Sequence, residues 1–150
     1  MKAPKSKTRR VNRKAAYYDL EIRHSPVHGN GVFALEDIPR DRRVIEYTGK
    51  RLTYQQAFAM RPPKDIYLAG LNSWWCVDGR SGDGAQFMNH SCQPNLISQL
   101  IGHRLFFYSR RKIRAGEELT WRYRYPLKIR RVPCRCGARR CRGTLRVILS

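Results

Sequence analysis

Two groups of residues carry side chains suited to chemistry. The first is the run Phe87-Met88-Asn89-His90-Ser91-Cys92-Gln93-Pro94-Asn95, which sets an amide, an imidazole, a hydroxyl and a thiol at four consecutive positions. Pro94-Asn95 forbids a helix, so the run reads as a tight polar loop beside a buried apolar anchor, Phe87. A turn with a capping Asn89 and a core Cys92 would look the same. The second group is Cys134-Arg135-Cys136 with Cys141, three soft ligands within eight residues. A structural zinc site wants four ligands around a tetrahedron, and the fourth must come from elsewhere: Cys92, Cys76 and four histidines are available. Cys92 is favoured, because a ligand there pins the C-terminal segment over the polar loop. Cys76, between Trp75 and Val77, reads as a buried apolar side chain. An odd total of five cysteines argues against a disulfide framework and for a reducing compartment.

Two further stretches offer walls for a site. In Gly116-Glu117-Glu118-Leu119-Thr120-Trp121-Arg122-Tyr123-Arg124-Tyr125 a turn leads into a strand. Trp121, Tyr123 and Tyr125 alternate there, so they share one face. They form half of a core, or they line a slot for a cation, since aromatic faces attract ammonium and sulfonium groups. On this strand alone the core reading is favoured. His28-Gly29-Asn30-Gly31-Val32-Phe33-Ala34 is a glycine turn running into an apolar strand. Without Cβ atoms at Gly29 and Gly31, backbone amides can come close to a ligand, although an ordinary hairpin has the same pattern.

The elements that must hold these groups are short strands. Leu20–Arg23, Val44–Gly49, Ile66–Leu71 and Trp74–Val77 carry strand patterns. Leu96–Ile101 and Arg104–Ser109 flank Gly102-His103 as a hairpin. The one helix start lies at residues 53–60, with Thr53 as N-cap, Gln56 three positions on and Pro62-Pro63 as the stop. A chain of 150 residues is most simply one domain, here mainly β with a basic arm over residues 1–16 and order from about Tyr17. Its formal net charge of +20 favours polyanions or acidic partners. The arm reads as a solvated tail, a polyanion-binding arm or a nuclear-import signal. No apolar run is long enough to cross a bilayer, and no secretory signal is visible.

Taken together these motifs resemble the SET-domain protein lysine methyltransferases, nearest the trithorax type, as a bare SET domain plus post-SET segment. The glycine turn at 28–34 is similar to the family's first motif and Val44-Ile45-Glu46-Tyr47-Thr48-Gly49 to its EYxG strand. Asn89–Asn95 matches NHSCxPN, Gly116–Thr120 followed by Tyr123 matches GEELTxxY, and Cys134–Cys141 resembles the post-SET zinc segment. The resemblance implies a fold of small β-sheets with a pseudoknot crossing, a SET domain over 17–126 and a zinc segment over 127–150. It implies that S-adenosyl-L-methionine binds near Asn30, Gly31, Asn89 and His90. The substrate lysine would enter from the opposite side through a channel walled by Tyr47, Trp121, Tyr123 and Tyr125. Tyr123 and Tyr47 would be the catalytic pair, and Cys92, Cys134, Cys136 and Cys141 the structural zinc ligands.

The expected reaction moves a methyl group to a lysine of a histone, a histone-like protein or another nucleic-acid-associated protein. The competing reading is a non-catalytic basic SET and zinc module that binds nucleic acid or chromatin proteins, supported by the charge of +20. No membrane partner is implied. The setting is the cytoplasm or nucleoid of a bacterium, or nuclear chromatin of a eukaryote or an infected host. Three positions depart from the family pattern. Arg122 stands where a small polar residue is usual, and alternation points it outward. Trp121 stands where Phe or Tyr tunes the number of methyls; lacking a hydroxyl it resembles Phe, while its bulk could fill the space. Gln86 stands where Arg is frequent, with no consequence to assign.

Overall fold

The computed structural model describes residues 8–59, 67–123 and 132–145. In chain order its elements are β1 (Arg9–Arg10), β2 (Leu20–His24), β3 (Asn30–Ala34), β4 (Arg43–Tyr47), β5 (Lys50–Thr53), α1 (Tyr54–Ala59), β6 (Leu68–Gly70) and β7 (Trp75–Asp78). After two 3-10 turns come β8 (Asn89–His90), β9 (Leu96–Ile101), β10 (Arg104–Ser109), β11 (Glu118–Trp121), β12 (Val132–Pro133) and β13 (Thr144–Leu145). The fold is mainly β, in four small sheets ordered β1-β2-β3-β11-β8, β4-β10-β9, β5-β7-β6 and β12-β13.

The largest sheet sets up the site. β11 lies between β3, which it pairs antiparallel, and β8, which it pairs parallel, with Thr120 opposite Asn89 and Trp121 opposite His90. The polar loop then wraps β11: Ser91 N–H donates to Trp121 O, Asn95 Nδ2 to Glu118 O, and Thr120 N–H to Asn95 Oδ1. Fully buried Leu20, Ile38, Ile45, Met88, Phe107, Ile113 and Leu119 fill the space beneath. Apolar burial of this kind is the main force holding small sheets together.

Local chemistry explains the peripheral elements. Thr53 and Gln56 form a reciprocal capping box, each backbone N–H donating to the other's side chain at 3.0 and 3.1 Å. The expected Pro62-Pro63 stop and Ile66 lie outside the described residues. The hairpin forms at the expected turn, with Gly102 at φ 62° and Arg104 opposite Ile101. β9 is an edge of its sheet among the described residues, and Ile97, Leu100 and Ile101 are exposed along it.

Two expectations are corrected. Order begins well before Tyr17, because β1 pairs with β2 (Arg9 with Ile22, Arg10 with Glu21) and Val11 is only 4% exposed. Backbone pairing leaves arginine side chains in solvent, while Val11, Ala15 and Ala16 in the same basic stretch supply apolar anchors; the 1–16 arm therefore does not extend through residues 9–16. The anchor beside the polar loop is Met88, fully buried, whereas Phe87 is half-buried under the Arg9 guanidinium at 4.9 Å.

Candidate active site and metal centre

Four cysteine sulfurs converge. The Sγ atoms of Cys92, Cys134, Cys136 and Cys141 all lie within 4.8 Å of one another, and Cys92 and Cys134 are 3.7 Å apart. A zinc–sulfur bond of about 2.3 Å puts tetrahedral sulfurs about 3.8 Å apart, so the donor set fits a zinc ion. Cys136 is the most acidic of the set. Burial pushes its thiol up, but hydrogen bonds from the backbone N–H groups of Cys92 and Ala138 carry it down to about 7. Burial pushes Cys134 up to about 12, and a bound divalent cation would draw such a thiol into the thiolate form. Cys76 stands apart, fully buried against Leu52 and Ala57, and burial raises its pKa as for an inert core thiol. None of the described histidines joins the cluster of sulfurs.

An aromatic cluster sits on the other side of the polar loop. The Trp121 ring lies 6.2 Å from Tyr47, 5.1 Å from Tyr123 and 5.0 Å from Phe107. The Tyr47 hydroxyl donates to Tyr67 O at 2.9 Å, and the Tyr123 hydroxyl donates to Met88 O. Trp121 is 8% exposed, and its Nε1–H has no hydrogen-bond partner. Tyr125, expected on the same face, lies outside the described residues.

His90 joins the two halves. Its Nδ1 accepts from Tyr123 N–H at 3.0 Å, which leaves the proton of the neutral ring on Nε2, 3.4 Å from Cys92 Sγ. Burial, reinforced by the charges of Arg122 and Arg142, lowers its pKa to about 4, so the ring is neutral. Its side chain thus holds Tyr123 against the sulfur cluster. β11 ends at Trp121, so strand alternation no longer governs Arg122. The guanidinium turns back to donate to Cys92 O at 2.9 Å instead of pointing outward.

Asn30, Gly31 and Asn89 meet across β3, β11 and β8. The buried Asn89 amide Nδ2 reaches His28 O and Asn30 O at 3.0 Å each and Glu118 Oε1 at 2.8 Å. Gly31 serves a purpose the sequence did not suggest: a Cβ there would stand 2.3 Å from Glu118 Oε1, so its bareness admits Glu118 rather than a ligand. Gly29, at φ 46° with open space around it, is the glycine that shapes the turn. The Glu118 carboxylate also takes the Ser25 hydroxyl at 2.8 Å. Sequence reasoning missed Ser25, Glu118 and the Met88 carbonyl; Glu118 stood inside a quoted motif but carried no sign of its partners, which lie 29 and 93 residues away. Gln86, unassigned from sequence, bridges its own loop, donating to Gly82 O and accepting from Gly84 N–H.

Comparison with known proteins places this arrangement. The SET domain family matches residues 29–124. The histone-lysine N-methyltransferase set-2 of Caenorhabditis elegans is 33% identical over 137 residues, covering 84% of this chain and 9% of that protein. The H3 lysine-4 specific histone-lysine N-methyltransferase of Schizosaccharomyces pombe is 36% identical over 143 residues, covering 88% and 16%. The chain thus spans a small part of these relatives. Among solved structures, Arabidopsis thaliana SUVH6 in complex with SAM superposes with a TM-score of 0.79 at 27% identity, covering 89% of this chain and 34% of that one. KRYPTONITE in complex with mCHH DNA, H3(1-15) peptide and SAH gives 0.69 at 28%, covering 87% and 30%.

Proposed function

The chain belongs to the SET-domain family, and on that premise we propose that it is a protein-lysine N-methyltransferase using S-adenosylmethionine. The observation that carries the reading is the position of β11. One end of it carries Glu118 against the glycine turn and Asn89, and the other carries Trp121 into the Tyr47–Tyr123 cluster. A donor site and an acceptor site are thereby set at one strand.

Asn30, Gly31, Asn89 and the backbone of His90 are the residues that would hold the donor. The three acceptors gathered around Asn89 suit its cationic amino-acid end. When bound, S-adenosylmethionine supplies an electrophilic methyl on a positively charged sulfur. The rest falls to the protein. A lysine amine with pKa near 10.4 is protonated in water and cannot attack. An aromatic, water-poor channel of Tyr47, Trp121 and Tyr123 disfavours the ammonium form, and so does a neighbouring positive charge. Holding the amine in line with the methyl then supplies most of the rate by positioning. The Tyr123 hydroxyl gives its proton to Met88 O, so it acts as a fixed acceptor beside the channel and not as a base. Cys92, Cys134, Cys136 and Cys141 hold a structural zinc that clamps residues 132–145 over the polar loop, and His90 passes that constraint to Tyr123.

The substrate class follows the relatives. Histone-lysine N-methyltransferases are named among them and an H3 peptide occupies a structural neighbour, so histone or histone-like proteins are the first substrates. That neighbour also carries DNA, and with a net charge of +20 nucleic acid is a natural bridge between a basic enzyme and a basic substrate. Such partners place the protein in chromatin or a nucleoid. Transfer of labelled methyl to histones by the zinc-loaded protein tests the reading. Tyr123→Phe, which removes the fixed hydroxyl, is expected to reduce transfer by at least tenfold while the fold persists. Absence of transfer with every basic protein tried, together with absence of donor binding, would overturn it.

A further inference from the structure

The chain carries 31 Lys and Arg against 11 Asp and Glu, so acids should rarely lack a basic partner. Among the described residues, Asp19, Asp37, Asp41, Glu46, Asp78 and Glu117 all form ion pairs. Glu118 does not. Its half-buried carboxylate meets only the Ser25 hydroxyl, through both oxygens, and the Asn89 amide, all at 2.8 Å. Asn89 is itself oversubscribed, because two amide hydrogens face three acceptors: His28 O, Asn30 O and Glu118 Oε1. One acceptor is therefore left over, and a full negative charge lies behind it. His28, Gly29 and Asn30 are exposed on the outer side of this group. Surplus acceptors with an unpaired charge at an open turn favour a cation and disfavour its neutral counterpart.

We propose that Glu118 is a charge selector at the donor site, favouring S-adenosylmethionine over S-adenosylhomocysteine. The proposal rests on the donor binding at this turn, as argued above. Methyl transfer breaks the carbon–sulfur bond, forms the carbon–nitrogen bond and leaves a neutral thioether. The attacking amine becomes an ammonium, which later releases its extra proton to solvent. The product thus carries one positive charge less than the donor. A carboxylate that attracts the charged form holds the donor and lets the product go. In this role Glu118 sets specificity from beside the reacting atoms and takes no part in the transfer.

The test is calorimetric titration of the zinc-loaded protein with S-adenosylmethionine and, separately, S-adenosylhomocysteine. The ratio of the two affinities is the readout. Glu118→Gln keeps the shape and removes the charge; it is expected to lower the ratio about three- to fivefold, the size of a partly screened charge interaction. Ser25→Ala alters the hydrogen bonding of the carboxylate but leaves its charge, and is expected to preserve the ratio. Should Glu118→Gln not fold, salt serves in its place. Raising ionic strength from about 0.05 M to about 0.5 M shortens the screening length several-fold, and the wild-type ratio is expected to fall with it. An equal change in both affinities on Glu118→Gln, or a wild-type ratio insensitive to salt, would overturn the charge selector while leaving the methyltransferase reading intact. If neither ligand binds the wild type, both readings fall.

Discussion

Replacing Gly31 by alanine is expected to act almost wholly through a residue 87 positions away. A new Cβ would stand 2.3 Å from Glu118 Oε1, 2.9 Å from Glu118 Cδ and 3.0 Å from Ser25 Cβ. Gly31 is absent from the positive-φ glycines, so alanine strains no backbone there. The flexible end of Glu118 must therefore swing out. Asn89 loses little, because His28 O and Asn30 O remain for its two hydrogens. The swung carboxylate regains water. The cost falls on Ser25, whose buried hydroxyl loses its acceptor. An orphaned buried donor costs about 1–3 kcal/mol, so about 2 kcal/mol is expected. In a Glu118→Ala background the obstruction is gone, and the same Gly31→Ala change should cost under about 0.5 kcal/mol. Urea unfolding of wild type, both single variants and the double variant measures the coupling. Equal costs of Gly31→Ala in the two backgrounds would refute the reasoning and show that the glycine is required by some other contact.

Three more outcomes are expected. Cys92→Ser should lower zinc content below one ion per chain and cut methyl transfer, while Cys76→Ser, whose thiol lies in a separate small core, should leave zinc content unchanged; metal analysis of the purified variants decides. Trp121→Phe removes a buried N–H without a partner but opens a small cavity. Relief of about 1–3 kcal/mol set against a similar cavity cost predicts a stability change within about 1 kcal/mol, readable as a shift in thermal midpoint. Hydrogen bonding from the Arg80 side chain holds the buried Asp78 carboxyl below its usual range despite the opposing effect of burial. A depressed folded pKa means its contribution is complete above the ordinary carboxylate range near 3.8 and disappears as pH falls through the lower folded value. The stability gap between wild type and Asp78→Asn should accordingly be constant at neutral pH and close on acidification, as followed by denaturant unfolding across that range.

What could be read from the sequence was whatever local chemistry or scarcity determines. The hairpin at Gly102-His103 and the Thr53–Gln56 capping box are local devices, and both formed where expected. Cys92 was legible as the fourth sulfur because thiols are few and only one stood in a polar loop. What remained hidden depends on distant partners. Arg9 and Arg10 look like part of a solvated charge run until β2 offers them a backbone to pair with. The role of Gly31 is written in Glu118 and Ser25, and neither announces the other in sequence. The direction of Arg122 followed from where β11 stops, and Met88 displaced Phe87 as the anchor through packing that no periodicity within nine residues encodes.

The edge strand β9 has a bearing on how this protein must be handled. Leu96-Ile97-Ser98-Gln99-Leu100-Ile101 carries neither charge nor proline, in a chain where one residue in five is basic, and Ile97 is 55% exposed. Edge strands are usually guarded against pairing with their neighbours by charged side chains of their own. Here that protection comes from the mutual repulsion of molecules each carrying +20. Concentrated salt shortens the reach of that repulsion to a few ångströms, and a stoichiometric polyanion cancels it at the source. Colloidal behaviour is thereby tied to the ionic surroundings. Dilute buffer keeps the molecules apart, whereas partial neutralisation by nucleic acid brings unguarded edges within pairing distance.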